Sequence, residues 1–280
     1  MCNAANRAFG HADEPGKCRF IGVDSEVTDT GQTGAMDPLR NYSTDAMNIS
    51  FREDVSMLEG SGKALLFDID GTLADTDALH LKAFNQVFGS HGHVFDHARF
   101  SKELQGFSNA SISERFLADQ PPERQASIIG EKEEAFRKLV SGKVKPVQGL
   151  MTLLALADGA SIPMVAVTNA PRLNAQMLLS GLGIVHRFKA LIIGDELPHG
   201  KPHPMPYLEG LRAVNAVADL SLAFEDSRSG VRSASAAGIA TIGICTSLSH
   251  DDMIAAGACM TARTFDDPEL LKLIETMMNW

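Results

Sequence analysis

The stretch "LLFDIDGTLADTD", which runs from Leu65 to Asp77, places four aspartates directly behind a short apolar run. A continuous apolar run of strand length, followed by turn residues, is typical of a buried strand. Like charges at the end of such a strand fit three unrelated features: a calcium loop, a solvated turn, or an aspartate nucleophile that works with bound magnesium. The rest of the chain has to distinguish among these three.

Five apolar segments of strand length occur from Lys63 onward, and helix-length segments separate most of them. They are "ALLFDID" (64–70), "PMVAVTN" (163–169), "ALIIGD" (190–195), "LAFED" (222–226) and "ATIGIC" (240–245). Strands that are apolar on both faces and alternate with helices form parallel sheets covered on both sides. We therefore predict an α/β fold with a doubly wound, Rossmann-like parallel sheet.

The interval between the first two of these strands is too long for a single crossover helix. It contains amphipathic stretches such as "ALHLKAFNQVFGSHG" (78–92) and almost no strand signal. A βαβ crossover needs only one helix, so residues 75–146 are predicted to form an inserted α-helical cap on a core made of residues 61–74 and 147–280. The insert begins where open α/β sheets bind ligands, so it is expected to act as a lid.

Residues 1–60 differ in character from the rest of the chain. They show no sustained helical or strand period, and turn-forming stretches such as "DEPGK" recur. Five basic and ten acidic residues do not fit a transit peptide, which is rich in arginine and poor in acids. We predict an acidic, flexible N-terminal extension, and the sequence leaves open whether translation begins at Met1, Met47 or Met57.

The composition is that of an ordinary globular protein, with 280 residues of which 44% are hydrophobic and 21% charged. A net charge of −10 disfavours binding to nucleic acid or to an anionic membrane, and no uncharged apolar run is long enough to span a bilayer. The four cysteines have neither CxxC spacing nor the density of a disulfide scaffold. We predict a cytoplasmic protein; the oligomeric state stays open, and a monomer is compatible with the sequence.

The chemistry of the opening stretch centres on Asp68 and Asp70. Because they are two residues apart, their side chains point to the same side of the strand. Two carboxylates that face one point repel each other unless a cation or a shared proton lies between them, and Mg²⁺ suits carboxylate oxygens. An EF-hand is excluded because Gly71 comes too early and Leu79 occupies the position of the bidentate glutamate. A solvated turn remains the alternative.

Polar side chains also follow the other predicted strands. Thr168 and Asn169 end one strand, Lys201 lies in "GKPHP" just before a helix, and Glu225 and Asp226 end another strand. Taken singly, these residues fit a helix N-cap, a surface lysine and a pair of helix-start acids. The ends of parallel strands, however, converge on one edge of a sheet. Their combination therefore favours a phosphate site.

Four segments in this order resemble the four motifs of the haloacid dehalogenase superfamily of phosphotransferases. They are "DIDGT" (68–72), "VTNA" (167–170), "GKPHP" (200–204) and "FEDS" (224–227), and the resemblance extends from about residue 63 to the end of the chain. The helical insert is similar to the type I cap of the β-phosphoglucomutase-like subgroup of subclass I. The resemblance implies phosphate-ester chemistry at the edge of an α/β core beneath a mobile cap.

The resemblance also implies roles for the acidic residues. Asp68 would attack the phosphorus and form an aspartyl-phosphate, while Asp70 would act as general acid and then as general base. Magnesium would be held by Asp68, the backbone carbonyl of Asp70, and Asp226. Glu225 is a further candidate for the metal site.

The remaining motif residues would hold the substrate. The resemblance assigns the phosphoryl oxygens to Thr168, Lys201 and the backbone of Asn169, with Thr72 as a further substrate-binding residue. Members that cleave carbon–halogen or phosphonate bonds lack an acid/base residue at the second aspartate. The presence of Asp70 therefore points to phosphate-ester chemistry.

Four residues of the predicted cap bear on the choice between a phosphatase and a mutase. His80 and Lys132 fall on a histidine and a lysine that the subgroup uses near the substrate. In mutase relatives the loop equivalent to "LQGFSN" carries an arginine that grips a second phosphate, whereas here Asn109 takes that place and Gln105 replaces a cationic residue. Losing a bidentate phosphate donor disfavours the mutase.

The function predicted from these observations is a Mg²⁺-dependent phosphatase that hydrolyses small phosphorylated metabolites such as sugar or polyol phosphates. A sugar-phosphate mutase of the β-phosphoglucomutase type is the first alternative. A non-catalytic binding protein, recruited through the acidic N-terminal extension, is the second. The expected partner is a small phosphorylated metabolite, and neither nucleic acid nor a membrane is expected.

Overall fold

The structure is a computed structural model that describes residues 62–140, 142 and 144–279. The predicted extension, residues 1–60, lies outside the described residues. Within the described part, a parallel sheet has the strand order β3-β2-β1-β4-β5-β6. Its strands are β1 (Leu65–Phe67), β2 (Met164–Thr168), β3 (Phe188–Ile193), β4 (Leu222–Glu225), β5 (Ala240–Ile244) and β6 (Met260–Ala262). The predicted α/β fold is confirmed.

The helices of the described residues fall into two groups. Between β1 and β2 lie α1 (Asp77–Phe88), α2 (His97–Glu103), α3 (Asn109–Phe116), α4 (Pro122–Val140) and α5 (Leu150–Gly159). The later ones alternate with strands: α6 (Arg172–Gly181), α7 (Met205–Ala213), α8 (Arg228–Ala236), α9 (His250–Ala256) and α10 (Pro268–Met278). None of the described helices combines the length and the apolar composition that crossing a membrane requires.

Helices cover both faces of the sheet because the side chains of its strands alternate between two hydrophobic clusters. In β1, Leu65 and Phe67 belong to one cluster, in which Phe67 stacks on Phe224 with ring centroids 4.7 Å apart. Leu66 points to the opposite face and packs in the cluster that contains Tyr207 and Leu211. Each fully buried side chain of this kind stabilises the fold by about 1.5–3 kcal/mol.

Helices α1–α4 have a hydrophobic cluster of their own. It is largely aromatic, and Phe84 and Phe88 of α1 meet Phe95, Phe100 and Phe116 there. These rings pack edge to face or tilted, which is the preferred geometry of aromatic pairs. Helices α1 and α4 also contribute side chains to the core cluster, so the segment packs against the core as well. That residues 75–146 act as a separate cap stays a prediction.

The strand order determines where a ligand can bind. The chain builds β2 and β3 on one side of β1 and then crosses to the other side to build β4 and β5. At such a reversal the loops that follow the neighbouring strands diverge and leave a crevice at their C-terminal ends. The ends of β1, β2 and β4 border this crevice.

The structure differs from the predicted strands at the edge strand β6 and at the end of β1. β6 was not predicted, because three residues at an edge give too short an apolar pattern, and Met260 and Thr261 are only partly buried. β1 ends at Phe67, earlier than the predicted run. As a result, Asp68 and Asp70 lie in the loop just beyond the strand rather than within it.

Candidate active site

A cavity opens between the C-terminal edge of the sheet and helices α1–α4. On the core side, its lining includes Asp68, Asp70, Thr168, Asn169, Lys201 and Asp226. On the helical side, it includes His80, Asn109 and Lys132. Nine of the site residues predicted from the sequence therefore lie around one cavity, although they come from segments up to about 160 positions apart in the chain.

The other two predicted site residues, Thr72 and Glu225, lie behind the cavity wall. Thr72 is fully buried, and its hydroxyl donates to Asp226 Oδ1 at 3.4 Å. Glu225, also fully buried, accepts hydrogen bonds of 2.6 Å from both Lys201 and the hydroxyl of Tyr207. Both residues are thus placed to support side chains that reach the cavity.

Lys201 links the first aspartate to the core. Its ammonium donates to Asp68 Oδ1 at 2.7 Å, to the carbonyl of Val167 at 2.7 Å and to Glu225 at 2.6 Å. An ammonium group has three donors, so all three are used. The side chain is 1% exposed, and a buried cation of this kind is stable only because carboxylates surround it. Lys201 thereby fixes the orientation of Asp68.

Asp70 is held by one of its two carboxylate oxygens. Thr76 donates to Oδ1 at 2.9 Å, and Nε2 of His80 lies 2.9 Å from the same oxygen. Oδ2 is buried and has no hydrogen-bond partner in the described structure. Burial would raise the pKa of Asp70, but the charge of His80 and the hydrogen bonds from His80 and Thr76 outweigh it and lower the pKa. One oxygen is therefore free for a ligand in the cavity.

Three buried carboxylates, those of Asp68, Glu225 and Asp226, lie with oxygens within 4.8 Å of one another. Burial raises the pKa of Asp68 to about 8 against the attraction of Lys201, and Glu225 adds to the rise. Burial raises the pKa of Asp226 well above its ordinary value, and Asp77 and Asp68 add to it. Lys201 alone does not offset this concentration of negative charge.

The chemistry of this group fits a divalent cation. Mg²⁺ prefers oxygen ligands and is usually bound by one or two carboxylates together with water and substrate phosphate. Asp68 and Asp226 both reach the cavity, while Glu225 is occupied by Lys201 and Tyr207. Asp68 and Asp226 are therefore the side chains best placed to hold a metal.

Thr168, the last residue of β2, and Asn169, which follows it, make different hydrogen bonds. The hydroxyl of Thr168 accepts a hydrogen bond from the backbone N–H of Ala170 at 2.9 Å, and the N-cap position of α6 is taken by Pro171. The amide of Asn169 donates to the carbonyl of Lys201 and accepts from its backbone N–H, both at 3.0 Å. Neither side chain caps α6, so the alternative of a simple helix cap does not hold.

On the helical side, His80 and Lys132 lie next to each other. The ring of His80 stacks on Phe136 with centroids 3.7 Å apart, and its Nδ1 lies 3.4 Å from the ammonium of Lys132. Lys132 in turn donates to Glu133 at 3.0 Å, and Asn174 of α6 donates to the same carboxylate at 2.6 Å. These contacts connect Asp70, through His80 of α1 and Lys132 of α4, to α6 of the core.

The loop between α2 and α3 forms part of the cavity wall. The amide of Gln105 donates to Asp77 at 3.0 Å and to Asp226 at 2.7 Å. The carbonyl of Gly106 accepts from Ser229 at 2.6 Å and from Asn169 at 3.1 Å. The helical segment is thus bonded directly to residues that follow β2 and β4.

Glu133 and Asn174 were not singled out from the sequence. In "EKEE" (131–134), Glu133 stands in a run of charged residues on an amphipathic helix, a pattern that indicates a solvated face. Asn174 lies inside a helix-length segment without a motif. Only the packing of α4 against α6 shows that both face the buried side.

The chain is similar to known hydrolases in sequence and in structure. The model of the family described as haloacid dehalogenase-like hydrolase matches residues 65–244. The chain is 29% identical over 216 residues to a phosphorylated carbohydrates phosphatase of Thermotoga maritima, covering 75% of this chain and 98% of the relative. It is 30% identical over 184 residues to the fructose-1-phosphate phosphatase of Escherichia coli, covering 64% of this chain and 95% of the relative. The structure is similar to that of CbbY from Rhodobacter sphaeroides in complex with xylulose bisphosphate, with a TM-score of 0.65, 29% identity, and coverage of 73% and 95% of the two chains.

Proposed function

The chain belongs to the haloacid dehalogenase-like hydrolases and is a phosphoric monoester hydrolase, and we propose that phosphorylated sugars or polyols are its substrates. Mg²⁺ is proposed as the cofactor, and the reaction is proposed to pass through an aspartyl-phosphate on Asp68. The names of the two phosphatase relatives support this substrate class.

The proposal rests on the different hydrogen bonding of the two aspartates that follow β1. Asp68 is fixed by Lys201 and faces the cavity. Asp70 is held through Oδ1 by His80 and Thr76, and Oδ2 has no hydrogen-bond partner among the described residues. One carboxylate positioned for attack beside a second that can exchange a proton is what two-step hydrolysis of a phosphate ester requires.

In the first step, a carboxylate oxygen of Asp68 attacks the phosphorus, and the bond between phosphorus and the ester oxygen breaks. The departing alkoxide takes a proton from Asp70. Nε2 of His80 lies 2.9 Å from Oδ1 of Asp70 and holds this carboxyl group in place for the transfer. The alcohol leaves, and the phosphoryl group remains on Asp68.

In the second step, a water molecule gives a proton to Asp70 and attacks the phosphorus. The bond between phosphorus and Asp68 breaks, which releases inorganic phosphate and restores the carboxylate. Asp70 is ionised after the first step and can accept this proton, which restores the acid for the next turnover. The same residue thus serves as acid in the first step and as base in the second.

Asp68 and Asp226, with the backbone carbonyl of Asp70, are the proposed ligands of Mg²⁺. When bound, the ion would neutralise negative charge on the carboxylates and on the phosphoryl oxygens. Lys201 lies beside Asp68 and contributes a fixed positive charge on the same side. Thr168 and the backbone of Asn169 border the cavity next to it and are proposed to hold phosphoryl oxygens.

A panel of sugar and polyol phosphates, assayed for phosphate release with Mg²⁺ and with a chelator, tests the proposal. Asp68→Asn should abolish release because the nucleophile is lost. Asp219→Asn removes the same charge from an exposed position outside the cavity and serves as the matched control. Absence of metal-dependent phosphate release from every compound would falsify the proposal.

Product analysis separates the phosphatase from a mutase. Among the described residues that line the cavity, arginine does not occur, and Gln105 is engaged with Asp77 and Asp226. A second phosphate would therefore find no bidentate donor. With β-glucose 1-phosphate and a bisphosphate activator we expect free phosphate, whereas accumulation of glucose 6-phosphate would identify a mutase.

A further inference from the structure

Glu133 is a buried carboxylate in the wall of the cavity, away from the reacting aspartates. It is 5% exposed and accepts hydrogen bonds from Lys132 at 3.0 Å and from Asn174 at 2.6 Å. Buried glutamates are rare and occur almost only when paired. The mechanism derived above does not use this residue.

The partner of Glu133 is Lys132, the one lysine on the helical side among the described residues that line the cavity. Lys132 is 3% exposed, and its ammonium lies 3.4 Å from Nδ1 of His80 and 4.2 Å from the centroid of the Phe84 ring. Burial would raise the pKa of Glu133, but Lys132, His80 and the hydrogen bonds from Lys132 and Asn109 outweigh it and lower the pKa. Glu133 therefore stays ionised and neutralises Lys132.

The charges around the cavity leave no cation free for a second anionic group. Among the described lining residues the lysines are Lys132 and Lys201, and each is bonded to carboxylates. The lining acids are Asp68, Asp70, Asp77, Glu133 and Asp226. Even with a divalent cation at Asp68 and Asp226, an anion elsewhere in the cavity would meet a net negative field and no lysine that is not already paired with a carboxylate.

The rest of the lining suits an uncharged, hydroxylated carbon chain. Phe84, Phe100, Phe107 and Ile112 offer apolar surface, and the Glu133 carboxylate offers a strong acceptor for hydroxyl groups. A hydroxyl group of the substrate is a neutral donor and can approach the Glu133 carboxylate. A carboxylate or phosphate group of the substrate would be repelled by Glu133.

We propose that Glu133 determines specificity by restricting the substrate to phosphate monoesters whose remaining part carries no charge. The paired Lys132 and Glu133 admit sugar and polyol monophosphates and disfavour phosphorylated acids and bisphosphates. This inference rests on the proposed phosphatase function and narrows its substrate class.

Two pairs of compounds, each differing in one anionic group, test the inference on the wild-type protein. Glycerol 3-phosphate and 3-phosphoglycerate differ only in a terminal hydroxymethyl or carboxylate group, and fructose 1-phosphate and fructose 1,6-bisphosphate differ by one phosphate. We expect kcat/KM to be at least about tenfold higher for the uncharged member of each pair, which corresponds to about 1.4 kcal/mol in the transition state. Comparable values within a pair would overturn the inference and leave the phosphatase function intact.

The variant Glu133→Gln tests the residue itself. It keeps the shape of the side chain but frees the charge of Lys132, so the preference for the uncharged member should shrink several-fold or reverse. Glu134→Gln removes the same charge from the exposed face of α4, where Glu134 pairs with Lys138, and should leave the preference unchanged. An unchanged preference in Glu133→Gln would overturn the assignment. The wild-type comparison decides the substrate class even if this variant does not fold, and a lack of phosphate release from all four compounds would count against both proposals.

Discussion

At the residue scale, Gly71 shows how closely the backbone and the acidic site are fitted together. Its φ is +79°, in the left-handed region that favours glycine. A Cβ at this position would overlap the carboxylate of Asp226. The turn after the second aspartate therefore needs glycine for two separate reasons, its conformation and the space it leaves to a proposed metal ligand.

We expect Gly71→Ala to weaken Mg²⁺ binding by at least about tenfold, because the methyl group displaces Asp226. The positive φ alone costs about 1–2 kcal/mol for a residue with a Cβ. Gly92→Ala supplies the control, since Gly92 has a φ of +82° and open space where its Cβ would lie. Titration of the thermal midpoint with Mg²⁺ measures both. If Mg²⁺ binds equally tightly to the two variants, the overlap with Asp226 does not affect metal binding and the prediction is wrong.

Which residues could be predicted from sequence depends on how local their signals are. Asp68 and Asp70 stand out because an apolar run ends beside them. Glu133 does not, because its burial and its hydrogen bond from Asn174 depend on a segment far away in the chain. A pattern of charges on a helix shows that a face is polar, but not whether another element covers it.

At the scale of elements, the loop between α2 and α3 connects the helical segment to the core. The carbonyl of Gly106 receives two hydrogen bonds, from Ser229 of α8 at 2.6 Å and from Asn169 at 3.1 Å. A hydrogen bond contributes about 0.5–1.5 kcal/mol net. If the segment moves as a lid, these bonds must break when it opens.

We expect Ser229→Ala to increase opening of this loop about two- to tenfold, the range that the loss of one hydrogen bond allows. Ser233→Ala is the matched control, because its hydroxyl makes a bond of the same length, 2.6 Å, from the same helix to the carbonyl of His203. Hydrogen exchange of the amides around Gly106 reports the difference. Faster exchange there in both variants would point to general loosening of α8 instead.

The elements themselves differ in how well the sequence predicts them. Strands buried on both faces, such as β2 and β5, leave continuous apolar runs, and these were predicted within one or two residues. Among the described strands, the edge strand β6 pairs with β5 alone and is partly exposed, so its composition is not distinctive. Tertiary pairing, not local preference, makes it a strand.

At the scale of the whole molecule, the acidic site stores electrostatic repulsion in the metal-free protein. The pKa values of Asp68 and Asp226 are raised by burial and by neighbouring carboxylates. A folded state that concentrates like charges is stabilised by any cation that binds there and not to the unfolded chain. Folding stability and metal binding should therefore be linked.

We expect Mg²⁺ at about 100 times its Kd to stabilise the protein by ~2.7 kcal/mol. For a chain of this size, that corresponds to a rise in the thermal midpoint of roughly 5–10 °C. Asp226→Asn should remove the rise because it removes a ligand, whereas the exposed Asp219→Asn should keep it. A full Mg²⁺ shift in Asp226→Asn would place the metal elsewhere.

The central position of β1 has a consequence for how activity appears during folding. β1 must pair with β2, about 100 residues later, and with β4, about 160 residues later, before the proposed reacting groups meet. Contacts this distant in the chain form slowly, because each one requires the closure of a long loop. Activity is therefore expected only once the sheet is complete. A nascent or truncated chain that has not added β4 contains Asp68, the proposed nucleophile, but lacks Asp226, which follows β4, and is expected to be inactive.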